Sequence, residues 1–172
     1  MSDYKNAIIT ELNILSDIKE TVFIGYNTAY GSRMYHTLDY VAPEKCIEMP
    51  VAENLMMGMA MGMSLTGYRP VVCFERHDFL LPAMDAILNH LDKLPTLSGG
   101  QFTFPVVIRA IVGSKKSLDP GIQHTQDYTD LLIRNSKLQV YTPTTKKLVA
   151  QAYSKARSTL TPIVIVEYRE LY

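Results

Sequence analysis

The chain has no excess charge of either sign, since 17 Lys and Arg offset 17 Asp and Glu over 172 residues. It therefore lacks the electrostatic footprint that nucleic acid or an anionic membrane surface requires. The pairs Lys115-Lys116 and Lys146-Lys147 are too short to alter that and read as solvated positions. Cysteine is scarce: Cys46 and Cys73 both lie in apolar β-like runs without metal-site spacing. Buried, reduced thiols are expected, and with them a reducing, cytoplasmic setting. The first residues show neither the basic-then-apolar pattern of a secretion signal nor the arginines of a transit peptide. No apolar run approaches the ~20 residues of a membrane span. Several catalytic signatures are missing as well. Gly25-Tyr-Asn-Thr lacks the dinucleotide fingerprint, which disfavours a generic nucleotide-binding domain. Leu97-Ser-Gly-Gly100 has neither the spacing nor the lysine of a phosphate loop, and it precedes a strand; a turn is expected. There is no Asp and Asn set to hold a magnesium–diphosphate pair, no Cys/His metal site and no Gly-x-Ser-x-Gly elbow.

What is present is a regular alternation. The apolar fraction of 47% with 20% charged residues is that of a globular domain, and one domain over 1–172 is expected. Strands are expected at Thr21–Tyr26, Lys45–Met49, Pro70–Phe74, Pro105–Val112, Leu138–Tyr141 and Pro162–Glu167. Several are almost continuously apolar, as strands covered on both faces are. Helical patterns fall at roughly 3–18, 53–66, 80–93, 125–134 and 145–158. The fold class is therefore α/β: a doubly wound, mostly parallel sheet with helices on both faces. Ligands of such sheets bind in the crevice beyond the carboxyl ends of the strands. The segments leaving those ends, 27–35, 50–53, 75–79 and 113–124, hold Glu53, the run Arg76-His77-Asp78-Phe79, and His124.

Glu53 opens an otherwise apolar helix, Glu53-Asn-Leu-Met-Met-Gly58-Met-Ala-Met-Gly62-Met63. In such surroundings a carboxylate loses hydration, which raises its pKa, and acids tuned in this way are used for chemistry. A carboxylate at a helix start is also favoured by the macrodipole with no function implied. Gly58 and Gly62, four apart, form a flat strip; it fits either this domain's own sheet or a helix of a partner subunit. The methionines around that helix suggest burial on more than one side. His124, on a loop at the crevice, is a candidate acid–base group. His77, between charged neighbours, is expected in solvent.

Taken together these segments resemble the pyrimidine-binding domain of thiamine-diphosphate enzymes, transketolase-like, and specifically the N-terminal domain of the 2-oxo-acid dehydrogenase decarboxylase β subunit. The similarity rests on Met49-Pro-Val-Ala-Glu53 with Gly58 and Gly62, Thr66 through Phe74, Phe79 through Asp85 with Asn89, Ser98-Gly-Gly100, Pro105 through Arg109, Gln123-His124-Thr-Gln126 and Pro162 through Glu167. The resemblance implies that Glu53 hydrogen-bonds the aminopyrimidine nitrogen of thiamine diphosphate and drives its imino tautomer. It implies that Phe79 stacks on the pyrimidine and that His124 assists the reacting intermediate. The chain departs from the family at Ala110–Lys116, where a glycine-rich stretch is usual, and at Arg76-His77-Asp78, which is more polar.

The resemblance further implies a split enzyme. The half-site for diphosphate and magnesium belongs to a second α/β domain, so a diphosphate-binding partner subunit is expected, with no metal held here. Homodimer or hetero-oligomer contacts would run through the Gly58/Gly62 helix. No C-terminal domain of the β-subunit kind is expected within residues 1–172. The expected activity is that of a 2-oxo-acid decarboxylase/dehydrogenase or a transketolase-type transferase, active with its partner on a small 2-oxo acid or ketose. The competing expectation is a non-catalytic regulatory or binding module that retains the fold.

Overall fold

Six strands form the core: β1 (Thr21–Gly25), β2 (Cys46–Glu48), β3 (Arg69–Phe74), β4 (Val107–Val112), β5 (Gln139–Tyr141) and β6 (Ile163–Tyr168). The structure, a computed structural model, describes residues 2–116 and 119–172. All strand pairs are parallel, in the order β2-β1-β3-β4-β6-β5. This is the doubly wound α/β fold that the apolar runs predict. Strands β1 and β4 are buried along their whole length, which is why they read as unbroken apolar segments.

Alternate side chains serve two cores. On one face Ile24, Val72, Phe74, Ile108 and Val164 pack against Met56, Met57, Ala60, Leu80 and Ile87. On the other, Phe23, Val71, Val107 and Ile165 pack against Ile8, Leu12, Val149 and Tyr153. The helices Asp3–Ser16 and Lys146–Ser158 cover this second face. Their starts are capped by Ser2 and Thr145, whose hydroxyls accept from the Lys5 and Leu148 amides. A buried ion pair ties the sheet to the C-terminal residues. Arg109 donates to both Glu167 oxygens at 2.9 and 2.8 Å, and the Tyr153 and Tyr172 hydroxyls donate to the same carboxylate.

Two helices differ from expectation. The 80–93 pattern forms a 3-10 segment, His77–Ala83, followed by a π-helix, Ala86–Leu91. Pro82 has no amide to donate, and the wider register is visible where the Asp92 amide donates to the Ile87 carbonyl at 3.0 Å. The 125–134 pattern becomes helix only at Thr129–Asn135, whose first amide is held by the Asp127 carboxylate at 2.9 Å. Cys73 is buried as expected, but Cys46 is only half-buried; both are free thiols.

The chain leaves β1 in one direction to reach β2 and returns on the other side to β3. The crevice beyond the β1 and β3 tips is thus the topological switch point, where ligands of such sheets bind. The loop after β1 is tied down there. The Glu48 carboxylate accepts the amides of Asn27, Thr28 and Ala29 at 2.6, 3.0 and 2.9 Å. The loop then makes a left-handed turn over residues 33–36, with φ of 43°, 53°, 58° and 63° at Arg33, Met34, Tyr35 and His36.

Candidate active site at the carboxyl edge of the sheet

Three aromatic rings run edge to face across the crevice. Tyr26, at the tip of β1, meets Phe79 with ring centroids 6.0 Å apart. Phe79 meets His124 at 5.6 Å with an interplanar angle of 84°. Phe79 and His124 line one cavity of about 490 Å³, together with Asp78, Leu81, Pro82 and Ile122. An apolar cleft with a few convergent polar groups is the usual shape of a small-molecule site. The His124 Nδ1 is buried and finds no partner among the described residues.

Gly113 explains how the His124 loop is held. A β-carbon there would overlap the His124 carbonyl oxygen and would lie 3.4 Å from the Arg76 Cδ. Only a residue without a side chain permits that approach. The expected crevice loop 113–124 also contains residues 117 and 118, which lie outside the described residues.

Glu53 is 6% exposed at the first position of its helix, Glu53–Leu65. It does not line the Phe79–His124 cavity, but it acts electrostatically on Tyr26, which packs edge-on against Phe79. The Tyr26 hydroxyl is buried and finds no partner among the described residues, and its acidity is suppressed first by burial and then by the charges of Glu53 and Glu75. Glu53, Phe79 and His124 thus share one edge, as their loops predict. An apolar cleft faced by Phe79, with the partnerless His124 Nδ1 beside it, fits a flat heteroaromatic ring. Among the described residues no cluster of three His, Cys, Asp or Glu side chains could hold a metal.

The expectation that His77 faces solvent is overturned: its side chain is fully buried. Its Nδ1 accepts the Tyr128 amide at 2.8 Å, and burial pushes the imidazole below its ordinary range despite the raising effect of Asp127 and Asp78. Accepting at Nδ1 requires the neutral ring with its proton on Nε2, and that donor is orphaned. His77 therefore anchors the segment that follows His124. The charged flanks concealed this, because the segment curls inward as a 3-10 helix.

A second cavity, of about 300 Å³, opens beyond β3, β4 and β6 and is lined by Tyr35, Arg76, Ser114, Lys116, Arg169 and Tyr172, among others. The Tyr35 ring carries the Arg76 guanidinium at 5.0 Å and that of Arg169 at 4.7 Å. Arg76 is held below its usual basicity by burial and by Arg169, so two like charges converge. The isolated basic residues gave no sign of this, since strands far apart in sequence bring them together.

On the helix Glu53–Leu65, the buried side is Glu53, Met56, Met57, Ala60 and Ser64. A β-carbon at Gly58 or Gly62 would meet nothing within 4 Å. The glycine strip does not pack on the domain's own sheet. It faces outward beside exposed Val51, Leu55 and Leu65.

Comparison with known proteins places the chain. Residues 3–172 match the family described as transketolase, pyrimidine binding domain. The β-2 subunit of the mitochondrial pyruvate dehydrogenase E1 component of Oryza sativa subsp. japonica is 31% identical over 135 residues, covering 78% of this chain and 35% of that protein. The Rickettsia conorii E1 β subunit is 30% identical over 135 residues, 78% of this chain and 41% of that protein. The chain thus spans well under half the length of these relatives. A solved "split gene transketolase, inactive beta4 tetramer" has the same fold, with a TM-score of 0.70 and 22% identity over 97% of this chain and 50% of that one. With the family match spanning nearly every residue, the chain belongs to the transketolase pyrimidine-binding domain family.

Proposed function

We propose that this chain is the pyrimidine-binding half of a split thiamine-diphosphate enzyme acting on a 2-oxo acid or a ketose. The observation that carries the reading is Glu53, a buried carboxylate at a helix start, on the same sheet edge as Phe79 and His124. When bound, thiamine diphosphate supplies a carbon nucleophile for cleaving the bond beside a carbonyl. Glu53 hydrogen-bonds the aminopyrimidine ring nitrogen and holds a proton there, Phe79 stacks on the ring, and His124 acts as an acid–base group toward the substrate. Magnesium and the diphosphate belong to a partner subunit. The outward strip of Gly58 and Gly62, flanked by exposed apolar side chains, supports assembly through that helix. The converging Arg76 and Arg169 support a substrate that carries an anionic group.

The test is reconstitution with the partner that co-purifies with the chain. Glu53→Gln is expected to cut turnover by about 10³-fold while the complex still assembles. Unchanged turnover in an intact complex would favour the non-catalytic binding module instead. Tight thiamine-diphosphate binding and turnover by the chain alone would refute the split arrangement.

A further inference from the structure

Tyr26 carries a buried hydroxyl that donates to nothing among the described residues, which is costly unless some other state of the site uses it. Burial and two carboxylates keep the phenol protonated, so it is a donor in search of an acceptor. Two carboxyl groups, Glu53 and Glu75, act on it electrostatically. The Glu75 oxygens are already engaged, one by the Asn27 side-chain amide at 3.1 Å and the other by the Ser32 hydroxyl at 3.0 Å. The Glu53 carboxylate accepts no hydrogen bond from the described residues, although it is nine-tenths buried. The Tyr26 ring is itself fixed, buried just beyond β1 and edge-on to Phe79 at 6.0 Å.

We infer that Tyr26 is a positioning residue for Glu53: its hydroxyl donates to the Glu53 carboxylate once the ring that stacks on Phe79 is in place. The bond leaves one carboxylate oxygen to the ligand and holds the other against Tyr26, which fixes the plane of the carboxyl group. A positioned acid of this kind needs such support to hold its geometry. Tyr26 acts through Glu53. The inference rests on the proposed function, and its test separates the two.

The experiment measures thiamine-diphosphate affinity by calorimetry, with magnesium, on the complex of this chain and its partner. Four versions are compared: wild type, Tyr26→Phe, Glu53→Ala and the double variant. Thermal melting of each cofactor-free complex accompanies the titrations. Tyr26→Phe is expected to weaken binding roughly tenfold in the wild-type background and less than twofold in the Glu53→Ala background. Its cofactor-free melting temperature should be equal or higher, because an unsatisfied hydroxyl is removed. Equal weakening in both backgrounds, or none in either, overturns the inference while leaving the proposed function intact. A lower melting temperature for Tyr26→Phe also overturns it, since the hydroxyl would then support the unliganded fold. Failure of the wild-type complex to bind thiamine diphosphate overturns both.

Discussion

Gly113 and His124 are packed backbone to backbone, so closely that no side chain fits between them. The tip of β4 is thereby the seat of the loop that presents the candidate acid–base group. Gly113→Ala must push His124 and its neighbours outward. A displacement of about 1 Å at a catalytic group costs on the order of 10²-fold in rate. Overpacking of this kind also costs about 1–3 kcal/mol in stability. Turnover of the reconstituted complex and a urea titration check both figures; wild-type turnover would show that the loop can shift without consequence.

The Arg109–Glu167 pair is fully buried and joined by two tyrosine hydroxyls and Thr37. Removing one partner strands the other charge, so Glu167→Leu alone is expected to destabilise the fold by roughly 3–5 kcal/mol. Arg109→Met combined with Glu167→Leu should recover much of that loss, since buried ion pairs are replaceable by apolar groups of similar volume. Chemical denaturation of the wild type and the two variants gives the comparison.

His77 makes stability depend on acid. Its folded-state affinity for a proton is depressed by burial, so between the folded and unfolded pKa values the unfolded chain binds more protons. The stability it contributes is whole above the ordinary imidazole value near ~6.5 and is lost as pH falls below it. Urea midpoints from pH 8 to pH 5 should therefore decline. His77→Asn, which keeps an acceptor for the Tyr128 amide, should flatten that decline; an unchanged slope would move the effect to another group.

Cys73 is buried and its thiol is pushed up to about 12, chiefly by desolvation. Only thiolate reacts, so at pH 8 iodoacetamide should label Cys73 no faster than the protein unfolds. Mass spectrometry of timed digests, with and without urea, measures this. Rapid labelling of Cys73 in buffer would mean that the sheet opens locally.

Gly58→Ala separates the two faces of the Glu53–Leu65 helix. The new methyl meets nothing within 4 Å among the described residues, so helix propensity alone should stabilise it by about 1 kcal/mol. Gly58→Leu should instead abolish association with the neighbouring subunit, read by sedimentation. Unimpaired assembly of Gly58→Leu would take the interface away from this helix.

The sheet was readable because its central strands are apolar on both faces and alternate with helical patterns. Glu53, Phe79 and His124 could be brought to one edge because parallel topology sends every βα loop to the same side. Tyr26 escaped notice, since a tyrosine at a strand end looks like ordinary core and its orphaned hydroxyl exists only in three dimensions. His77 was misplaced because neighbouring charges report on a solvated surface only where the backbone does not turn inward. The π-helix after Pro82 was hidden, because the apolar spacing of Leu81, Met84, Leu88 and Leu91 also fits an ordinary helix.

The left-handed turn over 33–36 sets this chain apart from the stability optimum of its own fold. Each non-glycine residue in that conformation costs roughly 1–2 kcal/mol, and four stand in succession. A library at these four codons, selected only for survival of heating, should drift to glycine and asparagine. Selected for turnover in the complex, it should keep Tyr35, whose ring lies between two guanidiniums. The divergence between the two selections would measure how much of the turn exists for the fold and how much for its use.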